Sequence, residues 1–258
     1  MPNTRRVLDV NQWWLKGGVD PRECLAAFQP IGASGITQSL QNINGRGANN
    51  AAIGVTPSFA KATGWEFDGS TTYLTVASGA LSTAVPLSMI CLFNPDAADT
   101  LYDLLHHTDG TGGADSGFKL QAAGATSGDP VRALSELATT EVSAATGTGF
   151  AAGQWCVGAA VFSAVDARAA YILSANSYRT AYKNQVNWGD KGVETTSNTP
   201  TGIDATYIGS AYSGVGTALA NVFDGKMGAC AFYSIAISDK QFMEIGLAML
   251  DLVHMANN

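Results

Sequence analysis

Apolar and polar residues alternate with a period of two through most of this chain from Trp65 onward. Successive side chains on a strand point to opposite faces, so this period predicts strands packed on one side against a core. Trp65 and Phe67 lead into an Asp68-Gly69 turn, and Tyr73 and Val76 follow it. Leu87, Met89, Cys91 and Phe93 alternate with Ser88, Ile90 and Leu92. That segment is apolar on both faces and predicts a central strand. Further strands are expected over 100–106, 117–122, 131–137, 141–143, 154–162, 169–174, 205–208 and 226–235. Short strands divided by Gly, Ser, Thr and Asp clusters predict a sandwich, not a parallel sheet wrapped by helices.

Two helices are expected, one at each end. Ser238 can cap a C-terminal helix, with Gln241 at the reciprocal capping position and Asp239 in the first turn. Phe242, Met243, Ile245, Leu247, Met249, Leu250 and Val253 then form a broad apolar face that must dock. Near the start, Asp20-Pro21-Arg22-Glu23 has the order of a helix cap, which predicts a short helix burying Cys24, Leu25 and Phe28. Residues 41–56 are polar and turn-rich and are expected to form a loop. No repeat and no change of composition divides the chain. One domain over residues 1–258 is expected, with residues 1–20 as an attachment or oligomer-contact arm.

Composition narrows the function classes. The 258 residues are 46% hydrophobic but only 14% charged, against roughly 25% in an average soluble domain. So weakly charged a surface suits a chain that packs against neighbours in an assembly. A net charge of −7 with scattered basic residues excludes a phosphate-backbone partner. No apolar window approaches the length of a membrane span. The start, Met1-Pro2-Asn3-Thr4-Arg5-Arg6, lacks the apolar stretch of a secretory signal. Cys24, Cys91, Cys156 and Cys230 show no metal-site spacing, and three fall in predicted strands. They read as thiols of a protein made in a reducing cytoplasm.

Two Phe-Asp-Gly motifs, Gly64-Trp65-Glu66-Phe67-Asp68-Gly69 and Phe223-Asp224-Gly225-Lys226, each accompany a strand. Between them stand Tyr73-Leu74, Gly153-Gln154-Trp155, Ala170-Tyr171-Ile172-Leu173 and Ala205-Thr206-Tyr207-Ile208-Gly209, and Ile235-Ala236-Ile237-Ser238-Asp239 follows. Before them come Asn11-Gln12-Trp13-Trp14-Leu15 and Cys24 to Ala33. Over about residues 10–250 this order resembles concanavalin A-like (laminin G-like) jelly-roll domains of the kind found in bacteriophage structural proteins. One departure is Ser174-Ala175-Asn176, where the family hairpin carries Asp-Gly or Asn-Gly. The resemblance implies an all-β, two-sheet antiparallel jelly-roll sandwich. It also implies a non-enzymatic virion subunit, either capsid decoration or a tail-associated adhesin. Its partners would be other virion proteins, further copies of itself and a host-surface glycan. The alternative is a carbohydrate-binding lectin-like module, and the third reading is a laminarinase-like enzyme.

The enzyme reading finds little chemistry to rest on. Laminarinase-like enzymes carry Glu-x-Asp-x-x-Glu on one strand, which places carboxylates over a cleft. No such triplet occurs. There is no Gly-x-Ser-x-Gly elbow, and only His106, His107 and His254 could serve as a base. His106-His107 lies near Asp103 and Asp109, but neighbours on a strand point to opposite faces and do not share one ion. The glycines at 147–149 and 214–216 lack a phosphate-loop pattern.

No cofactor is assigned. The resemblance allows calcium, for which Asp68, Asp166, Asp204 and Asp224 supply turn carboxylates, although each is also an ordinary turn former. The segment from Tyr178 to Asp190 mixes rings with amides and a carboxylate. Tyr182, Asn187, Trp188 and Asp190 are therefore the candidate glycan-binding residues, with a plain hairpin anchor as the competing role for the two rings. Trp13 and Trp14 are candidates for a plug on the domain or an oligomer contact.

Overall fold

The computed structural model describes residues 12–45, 49–76, 79–109, 116–138, 140–174, 190–213 and 218–256. In chain order its strands are β1 (Cys24–Phe28), β2 (Ala51–Val55), β3 (Ser58–Ala60), β4 (Gly64–Asp68), β5 (Tyr73–Val76) and β6 (Leu87–Pro95). Next come β7 (Leu101–Thr108), β8 (Ser116–Ala123), β9 (Pro130–Leu137), β10 (Thr140–Gly149), β11 (Cys156–Ala164) and β12 (Ala167–Ser174). The last are β13 (Asp190–Glu194), β14 (Ala205–Ile208), β15 (Ala211–Ser213), β16 (Ala218–Ala220) and β17 (Asp224–Tyr233).

The first sheet runs β13-β12-β11-β6-β17-β4-β3, with β1 also paired to β17. The second runs β10-β9-β8-β7-β14-β5-β2. Every strand pairing among the described residues is antiparallel. The two-sheet antiparallel sandwich expected from the alternation is what forms.

β6 takes the central place its two apolar faces predicted, between β11 and β17. Met89, Cys91 and Phe93 face the second sheet and join Phe67, Leu74, Leu105, Phe118, Leu120 and Phe232 in the interlayer core. Ile90 and Leu92 face the other way, into a second cluster with Trp13, Trp14, Val157, Tyr171, Tyr233, Phe242, Ile245 and Met249. The first sheet is therefore buried on both sides: one by the second sheet, the other by the C-terminal helix Asp239–Ala256 and a 3-10 segment, Trp13–Gly18. Burying each such large side chain contributes about 1.5–3 kcal/mol.

The C-terminal helix begins where its cap predicted. Ser238 N–H donates to Gln241 Oε1 at 2.8 Å, and Gln241 N–H returns to Ser238 Oγ at 3.3 Å. Its junction with the 3-10 segment is close. A Cβ on Gly17, whose φ is +72°, would lie 2.6 Å from the Gln241 Cα, and Gly17 N–H donates to Glu244.

Residues 20–28 correct the expected short helix. Asp20 closes a turn, accepting from Arg22 N–H at 2.8 Å, while its carbonyl accepts from Glu23 N–H. The chain then leaves as β1, pairing Cys24 with Tyr233 and Phe28 with Cys230. The cap signals serve a turn, and strand pairing claims the apolar residues. The expected loop at 41–56 is also partly strand, since β2 forms the edge of the second sheet. All four cysteines are buried thiols.

Candidate functional site

Alternation along the second sheet sends Phe118, Leu120 and Ala122 of β8 and Val131 and Ala133 of β9 into the core. It sends Lys119, Gln121, Arg132, Leu134 and Glu136 to the outer face. Register carries this face across four strands. Tyr207 of β14 stands opposite His106 of β7, His106 opposite Lys119, and Lys119 opposite Leu134. In the next row Asp103 stands opposite Gln121, and Gln121 opposite Arg132.

These outward side chains are shielded from solvent. His106 is 2% exposed, Gln121 3% and Lys119 8%, and Asp103 and Glu136 are buried too. A network holds most of them. Lys119 Nζ lies 2.7 Å from Glu136. Asp103 accepts from Gln121 Nε2 at 2.7 Å and from Asn221 Nδ2 at 2.9 Å. Burial pushes the Asp103 carboxyl up, against the pull of Lys119 and of the two amides. Burial works to lower Lys119, but the charges of Asp103 and Glu136 outweigh it and raise its pKa.

His106 has no such support. Neither ring nitrogen meets a partner among the described residues. Burial, then the Lys119 and His107 charges, hold its pKa well below the ordinary histidine value, so the ring is neutral. Gln121 Oε1 and Arg132 Nε are likewise buried without partners. An unfilled buried polar group costs about 1–3 kcal/mol. His106, Gln121 and Arg132 share the outer face of the second sheet with Lys119.

Glycines shape this face. His106 lies across Gly117, where a Cβ would be 2.6 Å from its Nε2. The Tyr73 ring lies on Gly54, where a Cβ would fall 2.1 Å from it. Tyr73 and Tyr207 are half-buried with ring centroids 5.9 Å apart, which gives an aromatic rim beside His106. His107, one residue on, points the opposite way. It meets Thr206 Oγ1 at 2.8 Å and the Phe232 ring at 5.2 Å, and burial lowers its pKa to about 3.

Of the residues singled out from sequence, Tyr182, Asn187 and Trp188 lie outside the described residues. Asp190 sits at the sandwich margin, where its carboxylate accepts from Thr148 N–H at 2.6 Å and ties β13 to the end of β10. Trp13 and Trp14 are buried within their own chain. Trp13 Nε1 donates to Gln29, and the Trp14 carbonyl accepts from Tyr233 Oη.

The Asp68 carboxylate is occupied by its own turn, accepting from Ser70, Thr71 and Thr72. Glu66-Phe67-Asp68 holds the first two members of the glycosidase pattern, but Thr71 stands in the third place and bonds Asp68. Among the described residues no three His, Cys, Asp or Glu side chains gather as metal ligands.

The sequence matches no protein-family model and no curated protein. Solved structures share the fold. Domain 4 of AbnA, a GH43 extracellular arabinanase from Geobacillus stearothermophilus solved with arabinotriose, superposes with a TM-score of 0.63 at 15% identity. The match covers 87% of this chain and 98% of that one. Trypanosoma rangeli sialidase in complex with 2,3-difluorosialic acid matches with a TM-score of 0.58 at 12% identity, over 92% of this chain but only 35% of the sialidase. These likenesses show the fold, a two-sheet antiparallel β-sandwich.

Proposed function

We propose that this chain is a non-catalytic carbohydrate-binding module whose ligand enters at Tyr73 and Tyr207 and reaches the outer face of the second sheet. The observation that carries this is the unfilled hydrogen-bonding capacity of His106 and Gln121, buried beside a half-exposed tyrosine pair. Rings offer a face for a sugar, and convergent polar groups orient its hydroxyls. The arabinanase domain that this fold matches almost end to end was solved with arabinotriose, which supports the same reading. A catalytic role draws no support from the carboxylates on this face, because Asp103 is held by two amides and Glu136 by Lys119. The virion-subunit reading is supported by the family resemblance and the low charge, and neither the fold nor this face adds to it.

Calorimetric titration with a panel of oligosaccharides, arabinotriose included, tests the proposal. Saturable binding is expected, with Tyr207→Ala weakening it at least about tenfold, or 1.4 kcal/mol. Equal affinity in wild type and Tyr207→Ala would move the site elsewhere.

A further inference from the structure

We infer that a small inorganic anion, of the size of chloride, binds between the two sheets at Arg168. The site is separate from the His106 face and stands whether or not a sugar binds there.

Register places the residue. Arg168 of β12 stands opposite Phe162 of β11, and Ser135 of β9 stands opposite Phe118 of β8. Directly opposed residues project from the same face of a sheet, and the Phe118 and Phe162 rings meet in the core at 4.9 Å. Arg168 and Ser135 therefore enter the interlayer space from opposite sheets at the same end. Asn198 joins them. Its N–H and Arg168 Nη2 both donate to the Val165 carbonyl, and its Nδ2 donates to the Ser135 carbonyl. Arg168 is 3% exposed, and its Nη2 also reaches the Thr196 carbonyl at 2.9 Å. Its Nε and Nη1 have no partner, nor has the Ser135 hydroxyl.

Charge decides between an ion and water. A guanidinium stays protonated in a protein, although burial lowers the Arg168 pKa against the pull of Glu194 and Asp166. Arg168 forms no ion pair among the described residues. Glu194, opposite it in register, holds its Oε1 on Thr195 and Thr196. A buried charge without a counterion is strongly unfavourable. Water would fill the N–H groups and leave the charge. An anion can accept from Nε, Nη1 and the Ser135 hydroxyl and neutralises the guanidinium as well. Asn198 Oδ1, also unfilled, needs a donor, so a water serves it and the anion does not. So buried an arginine leaves no room for a partner's carboxylate side chain. It borders a groove of about 360 Å³ shared with Lys191, Glu194 and Thr195, which gives a small ion access.

The test compares thermal midpoints of the intact chain in sodium chloride and in sodium gluconate at equal ionic strength. Wild type is expected to melt at least about 3 °C higher in chloride, because an ion that binds only the folded chain stabilises it. Arg168→Met keeps an apolar stem and removes the charge, and should lose that difference. A second measurement needs no variant and so decides the matter even if Arg168→Met does not fold. Crystals soaked in bromide should show an anomalous peak within about 3.5 Å of Arg168 Nε or Nη1. Water at that place in the bromide crystals overturns the inference. So does a chloride effect of the same size in wild type and Arg168→Met. A bromide peak without any chloride effect on wild-type melting marks an adventitious ion only, and overturns it too.

Discussion

Asp68 and Asp224 are register partners across adjacent antiparallel strands, where β4 meets β17. The two Phe-Asp-Gly motifs, more than 150 positions apart in the sequence, thus close one corner of the sandwich. Gly69 N–H donates to the Phe223 carbonyl at 3.0 Å, and the Phe67 and Phe223 rings lie 5.9 Å apart. The two carboxylates fare differently. Burial works to raise Asp68, but bonds from Thr71, Thr72 and Ser70 overcome it and hold the carboxyl well below the usual range. Asp224 is raised, by burial first and then by Asp96 and Asp68.

These opposite shifts predict opposite effects of substitution. Asp68→Ala opens a turn closed by its side chain and is expected to cost about 1 kcal/mol, as loss of an exposed capping carboxylate does. A depressed carboxyl stabilises the fold above its unfolded pKa of about 3.9, and that stability fades as pH falls further. Asp224 has the reverse sign: its charge penalises the fold above its raised pKa, and protonation relieves the penalty. Asp224→Asn should therefore raise the thermal midpoint at pH 7, with the gain vanishing towards pH 3. Melting curves of the two variants between pH 3 and 7 check both signs.

His106 and His107 predict acid sensitivity starting from near neutrality. Both are held neutral in the fold, His107 with a pKa of about 3. Below an unfolded value of about 6.5 the unfolded chain takes up protons that the fold refuses, so stability falls with pH. Each histidine contributes a slope approaching about 1.4 kcal/mol per pH unit. Denaturant midpoints between pH 7 and 4.5 should show the decline, and His106→Phe should remove about half of it.

Gly192 closes the sandwich along the margin where β13 meets β10. A Cβ there would lie 1.8 Å from the Ala145 carbonyl oxygen, which no side-chain adjustment relieves. Gly192→Ala should cost about 1–3 kcal/mol, the usual penalty for overpacking. Urea denaturation gives the value, and Gly153→Ala, where open space surrounds a glycine at φ +70°, separates backbone strain from collision.

Ser88 holds the approach to the C-terminal helix. Its hydroxyl donates to the Ile235 carbonyl at 2.7 Å and accepts from Ile237 N–H at 3.1 Å. Ser88→Ala leaves both backbone groups unmatched in a buried place, at a cost of about 1–3 kcal/mol. Hydrogen exchange should quicken first at Ile237 and in the first helical turn.

The parts of the fold that could be read from residue order are those where local and tertiary preferences agree. β6 was visible because both faces are apolar, and the C-terminal helix because Ser238 and Gln241 frame a wide apolar stripe. At Cys24–Phe28 the two preferences part: a short apolar run fits helix or strand equally, and the deciding partner, Tyr233, lies far along the chain. β2 and β3 are short edge strands with exposed positions, so their pattern is faint. The face around His106 was harder still. Its members come from β7, β8 and β9 and meet only through register. Their one trace is polar residues at alternate positions of apolar strands, such as Lys119 and Gln121 among Phe118, Leu120 and Ala122.

The seat of Trp13 and Trp14 under the C-terminal helix ties their burial to residues made much later. Phe242 and Tyr233, which complete their pocket, follow them by more than 200 positions, and β17 supplies the middle of the first sheet. A ribosome-bound chain ending before residue 224 would hold two exposed indoles and a sheet split down its centre. Contacts of such long sequence separation fold slowly. Trimming the chain from either side would therefore undo packing on the other.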